Sequence, residues 1–376
     1  MNSLSSKERL ALALHLTRGV RRSAKHEILK KFSDAEQIVA ASLDDFLALG
    51  FTDKIFDAFR EFSKTIDQTE ALLKKLEQST LGVLTITSSH YPARLKETVD
   101  APLALFFNGD PQALLSGSTL AVVGTRQCTN YGERVLQKML PVILERGICV
   151  VSGLAYGIDT LAHQQSVRHQ ALSVAVQACG VDQANLIQQR SIFNEIINSG
   201  GCVVSEFPFY SRQHMGRGLF PRRNRIVSGL SDAVLVVEAP VKSGALITAR
   251  FALEQNRDVF AVPGNLEQTN SMGCLKLIQE GAKAVLSVDD ILEELPGYQK
   301  GQSSLFEDQP LNLIKKIPEL ESDLEETLYQ LCEKPRVLDE MIAHTQCDAS
   351  EISALVTKLE MLGHIKQIPG KGYLSV

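Results

Sequence analysis

Between Phe209 and Ser231 the chain places Arg212, Arg217, Arg222, Arg223 and Arg225 with no Asp or Glu among them, closing on Phe220-Pro221-Arg222-Arg223-Asn224-Arg225. Guanidinium forks pair with phosphate oxygens and a ring stacks on a base, so this string suits a polyanion that also offers flat apolar faces. Single-stranded nucleic acid is such a ligand. The bland alternative is a solvated loop whose arginines pair with carboxylates elsewhere in the fold. The whole chain is net acidic, with 39 Lys plus Arg against 44 Asp plus Glu, so the local excess does not follow from a basic composition.

A second constellation is Asp159 and His163, four residues apart on what would be one helix face, with Ser152 upstream. Such a trio could run acid–base chemistry. Its structural reading, which we prefer, puts Asp159 near a helix N-terminus, where its charge is favourable, with His163 as its neighbour. No Gly-x-x-x-x-Gly-Lys-[Ser/Thr] and no Gly-x-Gly-x-x-Gly occurs, which argues against a nucleotide-driven motor and a dinucleotide enzyme. The seven cysteines are scattered, mostly within apolar runs such as Ile148-Cys149-Val150, without Cys-x-x-Cys or ligand-spaced histidines. They read as buried thiols of a reducing cytoplasm, forming neither a disulfide framework nor a zinc site. No apolar run approaches the roughly 20 residues of a membrane helix, so no membrane span is expected.

The elements that must position these residues begin at 118. Short β-branched runs (Leu120–Val123, Cys149–Val151, Leu172–Val176, Cys202–Val204, Ala233–Val237, Val259–Val262 and Ala284–Leu286) alternate with helical stretches. Continuous apolar strands separated by helices predict a parallel sheet covered on both faces. Nearly every run ends in a Gly or Ser loop: Gly124-Thr125-Arg126, Ser152-Gly153, Cys179-Gly180, Ser205-Glu206, Lys242-Ser243-Gly244, Pro263-Gly264. In a doubly wound sheet these loops share the carboxyl edge, where ligands meet backbone N–H groups and helix N-termini. Arg126 would reach a phosphate there or pair with Asp159 or Glu238. Ser243 and Gly244 open a helix beside Lys242. Glu206 and Glu238 are expected to orient the arginines.

Residues 7 to about 80 read as a small helical bundle, whose Gly19-Val20 turn precedes Arg21, Arg22 and Lys25 and hints at a helix-hairpin-helix-like phosphate clamp. Residues 296–320 have a linker's composition. The tail shows three helices, Glu325–Cys332, Val337–His344 and Ser350–Leu362, with Asp348 and Glu351 at capping-box spacing, then a wing over 365–376 turned at Pro369–Gly372. This is winged-helix patterning, yet the third helix offers Lys358 against Asp348, Glu351 and Glu360, which poorly suits reading a duplex.

Gly124-Thr125-Arg126, Ser152 to Asp159, Ser205-Glu206, Phe220 to Leu230, Val237-Glu238-Ala239, Lys242 to Ala249 and Val262-Pro263-Gly264 together, in order and spacing, resemble the DprA/Smf DNA-processing family. The resemblance is strong over roughly 85–295. It implies an extended Rossmann fold over 85–295 that uses no cofactor, an N-terminal SAM-like or helix-hairpin-helix-like helical domain over 1–84 and a winged-helix domain over 321–376. It further implies a non-enzymatic protein of the cytoplasm that binds and shields incoming single-stranded DNA in natural transformation, helps load a RecA-type recombinase and forms a homodimer. Residue by residue, the DNA pocket would draw on Gly124, Thr125, Arg126, Ser152, Gly153, Phe220, Arg222, Arg223, Asn224, Arg225, Lys242, Ser243 and Gly244, with Phe220 stacking on a base. Leu275, Leu277 and Ile278 fall in a segment resembling the self-association helix. Two departures stand out: Gln183 to Arg190 replaces a Tyr-Pro pair followed by Asn, which leaves the basic contact there lost or moved to Arg190. Thr125 and Ala245 stand where Ser is common. The alternative reading is a hydrolase of nucleotides or nucleoside phosphates of the lysine-decarboxylase-like group, whose Pro-Gly-Gly-x-Gly-Thr loop this chain lacks.

Overall fold

Burial along the central strands has period two in its partners rather than in its exposure: Ala121 and Val123 pack on one side of the sheet, Leu120 and Val122 on the other, and all four are buried. That is what a sheet covered on both faces demands. The computed structural model describes residues 4–183, 189–209, 219–296, 322–332, 336–345, 347–362, 364–368 and 372–375. It divides into two compact units, 1–300 and 301–376.

The first unit opens with helices α1 (Ser6–Leu16), α2 (Arg22–Lys31), α3 (Ala35–Ala40), α4 (Leu43–Ala48), α5 (Asp53–Phe59) and α6 (Phe62–Glu77). Ser5 begins α1 with a capping box closed by Glu8. Leu10 to Leu14 are buried on every side because α1 lies between its bundle partners and the sheet. The α/β portion follows as β1 (Leu81–Thr85), α7 (Ala93–Lys96), β2 (Ala104–Gly109), β3 (Thr119–Val123), α8 (Asn130–Glu145), β4 (Cys149–Ser152), α9 (Ile158–Arg168), β5 (Ser173–Val176), α10 (Arg190–Asn198), β6 (Cys202–Ser205), α11 (Leu219–Gly229), β7 (Ala233–Val236), α12 (Gly244–Glu254), β8 (Asp258–Ala261), α13 (Met272–Gln279), β9 (Lys283–Ala284) and α14 (Asp289–Leu292).

The strands lie in the order β1-β2-β6-β5-β4-β3-β7-β8-β9. From β6 to β9 every pairing is parallel, as the apolar runs predict, and each of the seven predicted runs overlaps a strand, the last only at Ala284. The sheet is also longer than predicted: β1 and β2 add an antiparallel edge beside β6. The order reverses around β3, so the loops after β3 and β4 and the start of α12 flank the switch point. Among the described residues, no helix is long and apolar enough to cross a membrane.

The second unit is α15 (Asp323–Leu331), α16 (Leu338–Thr345), α17 (Ala349–Met361) and the antiparallel pair β10 (Ile365–Ile368) and β11 (Gly372–Ser375). Leu328, Cys332, Met341, Ile352, Val356 and Leu359 form its core. Three helices and a wing are present as predicted, but Asp348 caps α17 through the Ser350 N–H (2.8 Å) and not through a box with Glu351. Lys358 is tied to the buried Glu325 at 2.8 Å within the unit.

Candidate functional site

The arginine string is the opening of α11, not a loop. Pro221 sits in the first turn, where its missing N–H costs nothing. Helical spacing then sorts the side chains: Phe220, Arg223, Asn224 and Val227 share one face and line a cavity of ≈ 560 Å³. Arg222 and Arg225 turn the other way.

Three further segments close the cavity: Gly124-Thr125-Arg126 after β3, Gly153 after β4, and Lys242-Ser243-Gly244 leading into α12. Arg126 is exposed and its guanidinium lies 5.6 Å from the centroid of the Phe220 ring. Lys242 is exposed as well. Ser243 caps α12 by accepting from the Ala245 N–H at 3.2 Å, and the rest of that helix N-terminus faces the cavity. The site thus joins two exposed cations, a half-buried ring and a helix N-terminus.

Arg223 holds these pieces in register. Its guanidinium is buried and donates from Nη1 to the carbonyls of Gly153 and Val176, at the ends of β4 and β5, and from Nε to Asn224 Oδ1 at 3.1 Å. Asn224 in turn donates to the Gly244 carbonyl at 3.1 Å, linking α11 to the start of α12. Burial lowers the Arg223 pKa, and the buried Asp159 opposes that. Burial likewise raises Asp159, while Arg223 and the backbone N–H groups of Ala155, Gly153 and Gly124 pull it back. A Cβ at 153 would stand 2.6 Å from Arg223 Nη2 and from Asp159 Oδ2, so any larger residue there must displace one of these side chains. Gly157, at φ +75°, is just as constrained, because its Cβ would meet the Thr125 carbonyl at 2.3 Å.

Several expected site residues lie elsewhere. Ser152 is fully buried and donates to the Val122 carbonyl at 2.6 Å, so it serves the sheet. His163 bonds to Ser173 Oγ at 2.6 Å rather than to Asp159, and burial pushes its pKa down to about 3. The acid–base trio is therefore dispersed. Arg225 is buried against Glu206 (2.7 Å) and Asp100 (3.1 Å), and Arg22 of α2 meets the same two carboxylates at 2.8 and 2.5 Å. Glu206 is thus an arginine partner, as predicted. Glu238 is not: it accepts from Thr129 N (2.9 Å) and Oγ1 (2.5 Å) at the start of α8. Among the described residues Arg126 pairs with neither Asp159 nor Glu238. Arg212, Arg217 and residues 184–188 lie outside the described residues, and Arg190 opens α10 away from the cavity lining. On α13, Leu277 is in the core, while Ile278, which packs against that core, and Leu275 are both half-exposed.

Fold and site define a doubly wound α/β protein with a cationic, ring-bearing cavity at the carboxyl edge of its sheet and a winged-helix second unit. Residues 82–296 match the family described as DNA recombination-mediator protein A, and residues 315–371 match the DprA winged helix domain; the chain belongs to that family. It is 36% identical over 330 residues to Protein Smf of Synechocystis, covering 80% of this chain and 82% of that one. Among solved structures it is similar to DNA processing protein A of Streptococcus pneumoniae, with TM-score 0.63 and 32% identity over 79% of this chain and all of that one. It is also similar to DNA processing protein A of Helicobacter pylori, a structure titled for its single-stranded DNA binding mode, with TM-score 0.50 and 25% identity over 56% of this chain and 93% of that one.

Proposed function

We propose that this protein binds single-stranded DNA in the cavity between α11, α12 and the loop after β3. The observation that carries this reading is the convergence of Arg126, Lys242, the Phe220 ring and the N-terminus of α12 on one cavity. Cations and a helix N-terminus take phosphates while a ring takes a base face, with little dependence on sequence. No covalent step is assigned, because the acid–base candidates are either committed to the sheet, as Ser152 and His163 are, or held by backbone N–H groups, as Asp159 is.

Membership of the family supports a wider reading, which we propose with it. The protein takes part in DNA processing during natural transformation, covering incoming single strands and helping to load a RecA-type recombinase onto them, as a homodimer and without a cofactor. Fluorescence anisotropy with labelled single- and double-stranded oligonucleotides at two salt concentrations tests the central point. Preferential single-strand binding that falls steeply with salt is expected; equal or absent binding of single strands would refute it.

A further inference from the structure

Arg222, on the face of α11 opposite Phe220, enters a second cavity of ≈ 720 Å³. Its walls are the turn between α1 and α2, which brings Arg18, Arg21, Arg22 and Lys25, and the segment after β6, which brings Glu206 and Phe209. Five cations therefore face one carboxylate, and that carboxylate is already engaged by Arg22 and Arg225. Arg18, Arg21 and Arg222 are exposed and form no ion pair among the described residues. The first turn of α2 adds N–H groups, since Arg21 at its N-cap makes no side-chain cap. Such an excess of positive charge in a concave site is unusual for a net-acidic chain.

The two cavities are not isolated. A smaller one lined by Arg126, Gly153, Gln177, Phe220 and Arg223 adjoins the first, and another lined by Gln177, Ser205, Glu206, Arg222 and Arg223 adjoins the second. Gln177 and Arg223 belong to both connectors. Because the strands run β3-β4-β5-β6 across the sheet, the loops at their carboxyl ends place these cavities in a row along one edge, ending at the helical head.

We propose that an unpaired strand seated in the first cavity continues along this row and is bound again at the head, with phosphates on Arg18, Arg21 and Arg222 and a base against Phe209. This rests on the single-strand reading above. A single polymer fills both cavities, and the shared carriers, guanidinium and ring, are the same at both ends.

The test uses the full chain and two oligothymidylates, one of roughly 6 nucleotides and one of roughly 20, bracketing ordinary single-strand site sizes. The wild type should bind the longer one more tightly. In the triple variant Arg18→Ala, Arg21→Ala, Arg222→Ala, whose sites are exposed, binding of the short strand should be unchanged. The advantage of the long strand should shrink, and the slope of log K against log salt should fall by roughly 2, from about 0.7 per lost phosphate contact. Unchanged binding of the long strand by the triple variant overturns the head site while leaving the first cavity intact. Failure of the wild type to bind either strand overturns both. Photocrosslinking from 4-thiothymidine along the long strand gives an independent readout: adducts within residues 15–25 are expected, and their absence from a crosslinked complex overturns the head site.

Discussion

The Arg126 guanidinium lies 5.6 Å from the centroid of the Phe220 ring, joining the loop after β3 to the first turn of α11. A cation–π contact at such an exposed place contributes about 0.5–1 kcal/mol, too little to explain both groups as structural. Both line the cavity proposed to take single-stranded DNA. Phe220→Leu should weaken single-strand binding by roughly 1–3 kcal/mol, about 5- to 150-fold in Kd, whereas Phe220→Tyr should bind like the wild type. Arg126→Ala should lower the salt slope by about 0.7. Anisotropy titrations at several salt concentrations check all three, and a Phe220→Leu variant with wild-type affinity would remove the ring from the site.

The guanidinium of Arg223 has a different task, since its donors are directed to the Gly153 and Val176 carbonyls and to Asn224. Gly153→Ala should push that side chain aside, costing about 1–3 kcal/mol of stability as an overpacked site. It should also weaken binding, because Asn224 loses its orientation toward the start of α12. Urea denaturation and the same titration measure the two effects together, and a variant of wild-type stability would show that the Cβ is absorbed without moving Arg223.

The parallel core was legible because its strands are short apolar runs ending in Gly or Ser loops, and the site was legible because those loops must share an edge. The antiparallel edge was not. Gly82 near the start of β1 and Asn108 and Gly109 at the end of β2 break the β-branched pattern, and only the pairing of β2 with β6 and of β1 with β2 makes strands of them. Which arginines face the cavity was equally hidden until α11 was known to be a helix. Charge marks Arg222, Arg223 and Arg225 alike, but helical spacing sends one to the head, one under the floor and one into the buried cluster with Glu206. The Glu238 pairing failed for a local reason: Thr129, at the start of α8, offers two donors closer than any arginine.

Acid should destabilise the first unit through identifiable groups. Burial works to raise the Glu206 pKa, and the Arg225 and Arg22 guanidiniums together overcome it, holding the carboxyl below its ordinary value. A depressed carboxylate stabilises the fold above its unfolded pKa, and that stability is lost as pH falls through the folded value. Burial also lowers His15 from 6.5 to about 4 and His163 from 6.5 to about 3. Below pH 6.5 the unfolded chain takes up protons that the folded histidines refuse until those lower values, so stability declines in the same direction. Urea midpoints should therefore fall from pH 6.5 toward 4, and His163→Leu should flatten the decline. Glu206→Gln should cost about 3 kcal/mol at neutral pH by leaving two guanidiniums short of a partner. A flat profile in the wild type would refute the assignment.

The proposed self-association through α13 can be tested apart from folding because the apolar residues of that helix divide by exposure. Leu277 is buried in the core, Ile278 and Leu275 are half-exposed with Ile278 leaning on that core, and Met272 is 37% exposed. Leu277→Glu would bury an unpaired carboxylate and unfold the unit, so it says nothing about dimers. Leu275→Glu combined with Met272→Glu changes only accessible side chains and should leave the urea midpoint within about 0.5 kcal/mol of the wild type. Light scattering should then report a dimer for the wild type and a monomer for the double variant. Two charges per protomer brought face to face across a two-fold axis repel each other, so a variant that still scatters as a dimer would place the contact on another face.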